Sequence, residues 1–145
     1  MANFIKEHLL KYGIKPSLQR MAVMNYLMQH KTHPTAEEIF NDLYPVIPTL
    51  SKTTVYNTLK LFAEHNAILC IQIDDKNARY DADTSSHAHF RCKSCGCIHD
   101  LKIEGLETIH IENYGELTVT ECHIYYKGYC KNCLEKQANE NENNN

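Results

Sequence analysis

The chain has no apolar run approaching the ~18 residues that a membrane span requires, so no membrane partner is expected. Near Met1, the residues Lys6, Glu7 and His8 interrupt any apolar stretch, and nothing there reads as a signal peptide. A cytoplasmic location is therefore expected. The even cysteine count of a disulfide framework is also missing. Seven cysteines, in a compartment where thiols stay reduced, read instead as metal ligands. No strand–helix–strand pattern surrounds either Cys-x-x-Cys pair, which argues against a thioredoxin-like redox motif. Nor is there a strong excess of one charge: the net charge is −3, and the 43% apolar and 23% charged fractions are ordinary for a globular protein. At 145 residues the chain is one domain or two small ones.

What is present is concentrated in DADTSSHAHFRCKSCGCIHD, residues 81–100. It holds His87, His89, Asp81 and Asp100 around a first pair, Cys92 and Cys95, and a second pair, Cys130 and Cys133, follows after residues 96–129. Two residues between paired cysteines let one tight turn aim both sulfurs at a single ion, and two such pairs make a tetrahedral four-thiolate zinc site. The His and Asp groups are harder ligands, suited to a second and different metal. Two metal sites of opposite character point towards a sensor. Charge is divided as well. Residues 1–80 carry nine Lys/Arg and seven Asp/Glu (9 − 7 = +2), whereas 81–145 carry six and eleven (6 − 11 = −5). This suggests two domains with different partners. The expected boundaries are 1–82, 83–137 and a tail at 138–145 that has no apolar anchor and reads as disordered.

The front half reads as four short helices. Residues 3–12 carry Phe4, Ile5, Leu9 and Leu10 as an apolar stripe ended by Gly13, and a second helix begins after Pro16 and Ser17 and runs to about His30. The third, at 35–44, opens with a capping box of Thr35 and Glu38. A fourth, capped by Ser51, places Val55, Leu59 and Phe62 on one face, with Asn66 as a left-handed stop. Two apolar segments, 67–73 and 78–81, flank the turn-forming Asp74, Asp75, Lys76 and Asn77. Helices followed by a hairpin make a winged helix-turn-helix. Its fourth helix would enter the major groove of double-stranded DNA with Lys52, Thr53, Tyr56, Asn57 and Lys60. Ser51 and Thr54 stand at the start of the same helix, and Lys15 and Arg20 would attract phosphates. A helical packing domain with a solvated polar face would show the same pattern. The back half reads as β-rich, with strands at 89–92, 97–101 and 117–126, a moderately helical 103–114, and a helical turn or two at 131–137. The fold class expected is α+β.

These residues together resemble the ferric uptake regulator family, most closely its peroxide-responsive branch. The resemblance covers residues 3–136. It rests on Gly13-Ile14, Gln19-Arg20, His33-Pro34-Thr35-Ala36, the helix beginning Ser51-Lys-Thr-Thr-Val-Tyr56-Asn57, Arg79-Tyr80-Asp81, His87-Ala-His89 and both Cys-x-x-Cys pairs. It implies a metal-dependent transcriptional repressor and not an enzyme. It also implies a homodimer on an inverted-repeat operator, with a DNA-binding front half and a dimerising back half. Carried over by position, the regulatory ligands would be His33, Asp81, His87, His89 and Asp100, holding Fe²⁺ or Mn²⁺. Cys92, Cys95, Cys130 and Cys133 would hold structural zinc. In the peroxide-responsive branch His33 and His87 would be the oxidation targets.

Two departures help to place the chain within that family. An auxiliary metal site common there would need ligands at Ser86, Ala88 and Cys122; the first two cannot supply them, so two metals per chain are expected. Iron-uptake members tend to have arginine at the position of Asn57 and glutamate at that of Asp100, and both differences favour the peroxide branch. A repressor of iron or zinc uptake that senses metal without oxidation is the nearest alternative, and a non-haem iron enzyme a remote one. Cys97 beside the knuckle could replace Cys95 as a ligand, and His110 with His123 could form a further site. Cys70 reads as core, and His99 should face away from Asp100 on its strand.

Overall fold

The computed structural model describes residues 2–145, which divide into two units, residues 2–85 and 86–145. In the first, α1 (Ala2–Lys11), α2 (Leu18–Gln29), α3 (Ala36–Leu43) and α4 (Lys52–Glu64) precede an antiparallel hairpin of β1 (Leu69–Ile71) and β2 (Arg79–Asp81). This is the four-helix-plus-wing order expected. Its helix starts are fixed locally. Ser17 accepts from the Arg20 backbone N–H, and Ser51 from that of Thr54, while Thr35 and Glu38 form a reciprocal capping box. One core joins the helices, with Leu9 from α1, Val23 and Leu27 from α2, Ile39 from α3 and Val55, Leu59 and Phe62 from α4 all fully enclosed. Asn66 ends the fourth helix in the left-handed region, φ 59°.

The second unit is built on a three-stranded sheet in the order β4 (Ile98–Leu101), β3 (Ala88–Cys92), β7 (Tyr125–Gly128). β3 pairs antiparallel with β4 and parallel with β7, and the latter register sets Cys92 opposite Gly128. A Cβ there would lie 3.2 Å from the Phe90 ring, close enough that the ring would have to give by a few tenths of an ångström. The parallel pairing therefore delivers the second cysteine pair beside the first, with α5 (Lys131–Asn143) starting from Cys130 as its N-cap. Apolar burial in this unit is scant. Among the described residues its buried apolar side chains are Ala88, Cys92 and Cys133.

Three segments differ from the sequence expectation. Residues 103–114 are not a helix: a single 3₁₀ turn at Leu106–Ile109 follows Gly105, whose φ of 82° breaks helical continuity. A small hairpin follows, β5 (Asn113–Tyr114) with β6 (Leu117–Thr118), turning at Gly115 with φ 60°. The strand expected at 117–126 is accordingly divided between β6 and β7. Finally, the tail expected to be disordered from Ala138 continues α5 to Asn143, because no glycine or proline interrupts the helix.

The capping box yields a quantitative test. Thr35→Ala should lower the stability of the first unit by about 1 kcal/mol, the usual worth of such a cap. Urea unfolding followed by far-ultraviolet dichroism measures it; an unchanged midpoint would show the cap to be idle.

Candidate metal centres and nucleic-acid interface

In the second unit, Cys92, Cys95, Cys130 and Cys133 bring their sulfurs within 4.8 Å of one another. The Cys95 and Cys130 sulfurs are 3.9 Å apart, and the Cys130 backbone N–H donates to Cys92 Sγ at 3.4 Å. The knuckle turn is closed by Gly96 N–H to Cys92 O and by Cys92 N–H to Cys97 O, both 3.0 Å. Backbone N–H groups of Cys130 and then Cys95 aimed at the sulfur hold the Cys92 thiol down to about 5. Four convergent soft donors, one already favoured as thiolate, fit zinc and would be a poor cage for a hard cation. The unit therefore carries a four-cysteine structural zinc site.

On the same unit, β3 and β4 place Asp100 directly opposite His89. Asp100 Oδ1 lies 3.3 Å from Nε2 of both His87 and His89, and the two imidazoles meet edge-on with centroids 4.4 Å apart. The strand alternation turns His99 elsewhere, as expected: its Nε2 is 3.4 Å from Cys97 Sγ and its ring neighbours Phe90. His123 pairs with Glu121 at 3.2 Å, and Cys122 is exposed.

In the first unit, His33 Nε2 stands 3.4 Å from Asp81 Oδ2, and both residues are buried. His33 has φ 56°, a left-handed conformation that costs a non-glycine residue roughly 1–2 kcal/mol. Strain of that kind survives only where surroundings impose it, and it gathers at functional sites. Here the restraint comes from the wing. Arg79 Nη1 donates to the His33 carbonyl at 3.3 Å, while its Nε and Nη2 grip Asp74 Oδ2 at 3.2 and 3.0 Å. The Tyr80 N–H donates to the Pro34 carbonyl at 3.1 Å. Sequence reasoning noticed Arg79 and Asp74 only as motif and turn residues. Their joint role in holding the His33 backbone spans 46 positions and leaves no local pattern. Each unit thus presents paired imidazole and carboxylate donors, one His with one Asp in the first and two His with one Asp in the second.

The first unit also has a groove of about 640 Å³ between α2 and α4, lined by Lys15, Arg20, Thr54, Asn57 and Lys60 among others. Arg20 Nη1 donates to the Lys15 carbonyl at 2.8 Å, which stiffens the loop that carries the lysine. Tyr56 is exposed on the same helix. Four of the expected contacts are otherwise engaged, Lys60 through Glu64 at 4.0 Å. The Ser51 hydroxyl caps α4 and lies 2.8 Å from the Thr54 hydroxyl. Lys52 turns towards α3, 3.8 Å from Glu37 and over the Phe40 ring. Cys70 lies opposite Tyr80 in the wing, remote in sequence from either cysteine pair.

The cysteine cluster makes a direct prediction. Cys92→Ser or Cys130→Ser should lose zinc together with the fold of the second unit, because a structural zinc supplies ~10–16 kcal/mol of apparent binding energy. Cys70→Ser should keep both. Zinc content by mass spectrometry under native conditions, alongside dichroism, measures this; a folded, zinc-loaded Cys130→Ser protein would refute it.

Comparison with known proteins agrees with this geometry. The model of the ferric uptake regulator family matches residues 11–127. A peroxide-responsive repressor, PerR, of Staphylococcus epidermidis is 33% identical over 130 residues, covering 88% of this chain and 87% of that protein. The corresponding repressor of Staphylococcus aureus strain Mu50 is 34% identical over 126 residues, 86% and 85% of the two chains. Among solved structures, the Helicobacter pylori ferric uptake regulator Fur aligns over 92% of this chain and 94% of its own, with TM-score 0.71 and 23% identity. PerR from Streptococcus pyogenes aligns over 91% and 92%, with TM-score 0.51 and 28% identity. With a family model spanning both units, and a zinc knuckle and His/Asp donors where the motifs fall, the chain belongs to the ferric uptake regulator family.

Proposed function

We propose that this metal-sensing transcriptional regulator is a peroxide-responsive repressor. It binds an inverted-repeat DNA site as a homodimer and releases it when one of its own histidines is oxidised. The observation that carries this reading is His33, a buried imidazole held in a strained backbone beside Asp81 by the wing. The second unit supplies a complementary set, His87 and His89 sharing Asp100. Three imidazoles and two carboxylates are a donor set suited to Fe²⁺ or Mn²⁺. One ion shared by His33, Asp81, His87, His89 and Asp100 would couple the two units, so its binding would select one arrangement of them. The likeness to PerR proteins at 33–34% identity supports the peroxide branch.

Recognition of DNA falls to the first unit. Lys15 and Arg20 offer the groove positive charge for phosphates, Lys60 is paired with Glu64 of the same lining, and the N-terminal half of α4 offers Asn57 and Tyr56 to base edges. Asn57 can pair bidentately with adenine, worth ~1–3 kcal/mol of discrimination. The homodimer is supported by the second unit, where Ile109, Ile111, Tyr114, Leu117 and Tyr126 are exposed; so much uncovered apolar surface calls for a second copy. Two copies would present two α4 helices to successive major grooves.

Iron held by these donors would supply redox chemistry towards peroxide, with peroxide as the two-electron oxidant. His33 and His87, as immediate neighbours, would meet the oxidant before it diffuses away, so that one peroxide oxygen would add to an imidazole and the other would leave as water. A ligand lost from His33 unties the first unit and leaves the cysteine site untouched. The test loads the protein with Fe²⁺ or with Mn²⁺, adds peroxide, and follows DNA binding and tryptic peptide masses. The iron form should release DNA and gain one oxygen on the His33 or His87 peptide, and the manganese form should do neither. Retention of DNA by both forms would favour a metal-availability repressor. Oxygen found only on Cys92, Cys95, Cys130 or Cys133, with zinc released, would make the switch thiol-based and this mechanism wrong.

A further inference from the structure

Each donor of the first unit is held by a neighbour in its own unit. Asp81 gives its two oxygens separate tasks: Oδ2 stands 3.4 Å from His33 Nε2, whereas Oδ1 accepts the Asp83 backbone N–H at 2.9 Å. Asp83 repeats the arrangement, and its Oδ1 accepts from both the Ser85 N–H, at 2.9 Å, and the Ser85 hydroxyl. Residues 81–85 therefore leave β2 as two consecutive turns, each closed by an aspartate side chain on the backbone two positions ahead. His33 is held from another direction, through its carbonyl, by Arg79 Nη1. The Arg79 guanidinium is oriented in turn by Asp74 Oδ2, and Asp74 Oδ1 accepts the Lys76 N–H at 2.9 Å, which ties the arrangement to the turn of the wing. Charge does not explain these contacts. A guanidinium opposes a cation bound nearby and a carboxylate attracts one, yet Arg79 and Asp83 alike stand where they fix the direction of a donor.

We propose that Arg79 and Asp83 are positioning residues of the regulatory metal site, presetting His33 and Asp81 for the ion by geometry rather than by charge. This deepens the reading of His33 and Asp81 as regulatory ligands and rests on it. With Arg79 on its carbonyl, His33 keeps the left-handed backbone that sets its imidazole against Asp81. With the Asp83 N–H on Oδ1, the Asp81 carboxylate does not swing freely, and Oδ2 stays turned to the imidazole. Donors already ordered lose less freedom when an ion is captured, and outer partners of this kind contribute ~10–100-fold in metal affinity. Asp83 is exposed and Arg79 half-buried, and neither belongs to the apolar core. Their effect on the site is therefore separable from their effect on folding.

The experiment titrates Mn²⁺ into full-length, zinc-loaded protein carrying Asp83→Asn, Asp83→Ala, Arg79→Lys or His33→Ala, with free Mn²⁺ followed by its paramagnetic resonance signal. Zinc content and the urea unfolding midpoint are measured on each. Asp83→Asn removes the charge but keeps an oxygen that accepts from Ser85, and its Mn²⁺ affinity should match that of the unsubstituted protein. Asp83→Ala removes both and should weaken Mn²⁺ binding ~10–100-fold. Arg79→Lys keeps the charge but replaces a rigid fork with one freely turning ammonium, and should weaken binding on the same scale. Zinc content and midpoint should be unchanged in all three. The reverse pattern, with Asp83→Asn as weak as Asp83→Ala and Arg79→Lys unaffected, would make these residues electrostatic and overturn the proposal. Mn²⁺ affinity unchanged in every variant of Asp83 and Arg79, or falling only together with the midpoint, would overturn it too. His33→Ala should abolish Mn²⁺ binding at this site. A His33→Ala protein that binds Mn²⁺ as the unsubstituted one does would overturn the regulatory-site reading itself, and the proposal with it.

Discussion

Convergence of four cysteine sulfurs is the constraint on which the second unit depends. Its buried apolar side chains among the described residues are Ala88, Cys92 and Cys133, and two of these three belong to the cluster. A sheet of three short strands carrying so little apolar burial falls short of the ~5–15 kcal/mol that ordinary domains reach. Zinc contributes on that same scale. The parallel pairing of β3 with β7 and the bare Cα of Gly128 against Phe90 make sense as parts of the same device, because they set Cys130 at the back of Cys92. His89 of β3 is then carried on a strand whose end, Cys92, belongs to the zinc site.

The first unit solves a different problem. Its core is ordinary and ample, with α1 to α4 meeting over Leu9, Val23, Ile39, Leu59 and Phe62. The unusual part is the strained His33, held through its own carbonyl by Arg79, which is itself fixed by Asp74 in the turn of the wing. A strained imidazole held by a guanidinium and a carboxylate is pre-organised, so less ordering would remain to be done if a metal bound there. In the proposed switch this explains why a change at one imidazole is felt by a whole DNA-binding unit: the strand that carries Asp81 is the one that carries Arg79.

Much of this was legible in the sequence wherever the signal was local. Ser17, Thr35 and Ser51 announce helix starts because a cap is decided within four residues, and the spacing of both cysteine pairs announces the knuckle in the same way. Alternation along β3 and β4 separated Asp100 from His99 correctly. Other segments were read less well. Residues 103–114 hold enough Ile and Leu to suggest a helix, yet Gly105 and Gly115 in left-handed conformations break them into a turn and a hairpin. The polar tail after Ala138 is helical as the continuation of α5. Lys52 sits on the charged side of its helix by sequence but is drawn to Glu37 and Phe40 on α3. Arg79 could be read as part of a motif, whereas its grip on His33 is a three-dimensional fact.

In the proposed switch, metal bound by the His and Asp donors and DNA bound by the first unit would be coupled through one conformational equilibrium. A 100-fold preference of the metal for the DNA-competent state corresponds to about 2.7 kcal/mol, and linkage requires the effect to be reciprocal. The most direct measurement is therefore a calorimetric titration of Mn²⁺ into zinc-loaded protein, alone and saturated with a duplex inverted repeat obtained by selection. It is paired with DNA titrations with and without Mn²⁺. The account predicts that DNA tightens Mn²⁺ binding by the same factor by which Mn²⁺ tightens DNA binding, and that His33→Ala abolishes both. Mn²⁺ affinity indifferent to DNA, with DNA bound equally well in its absence, would contradict it.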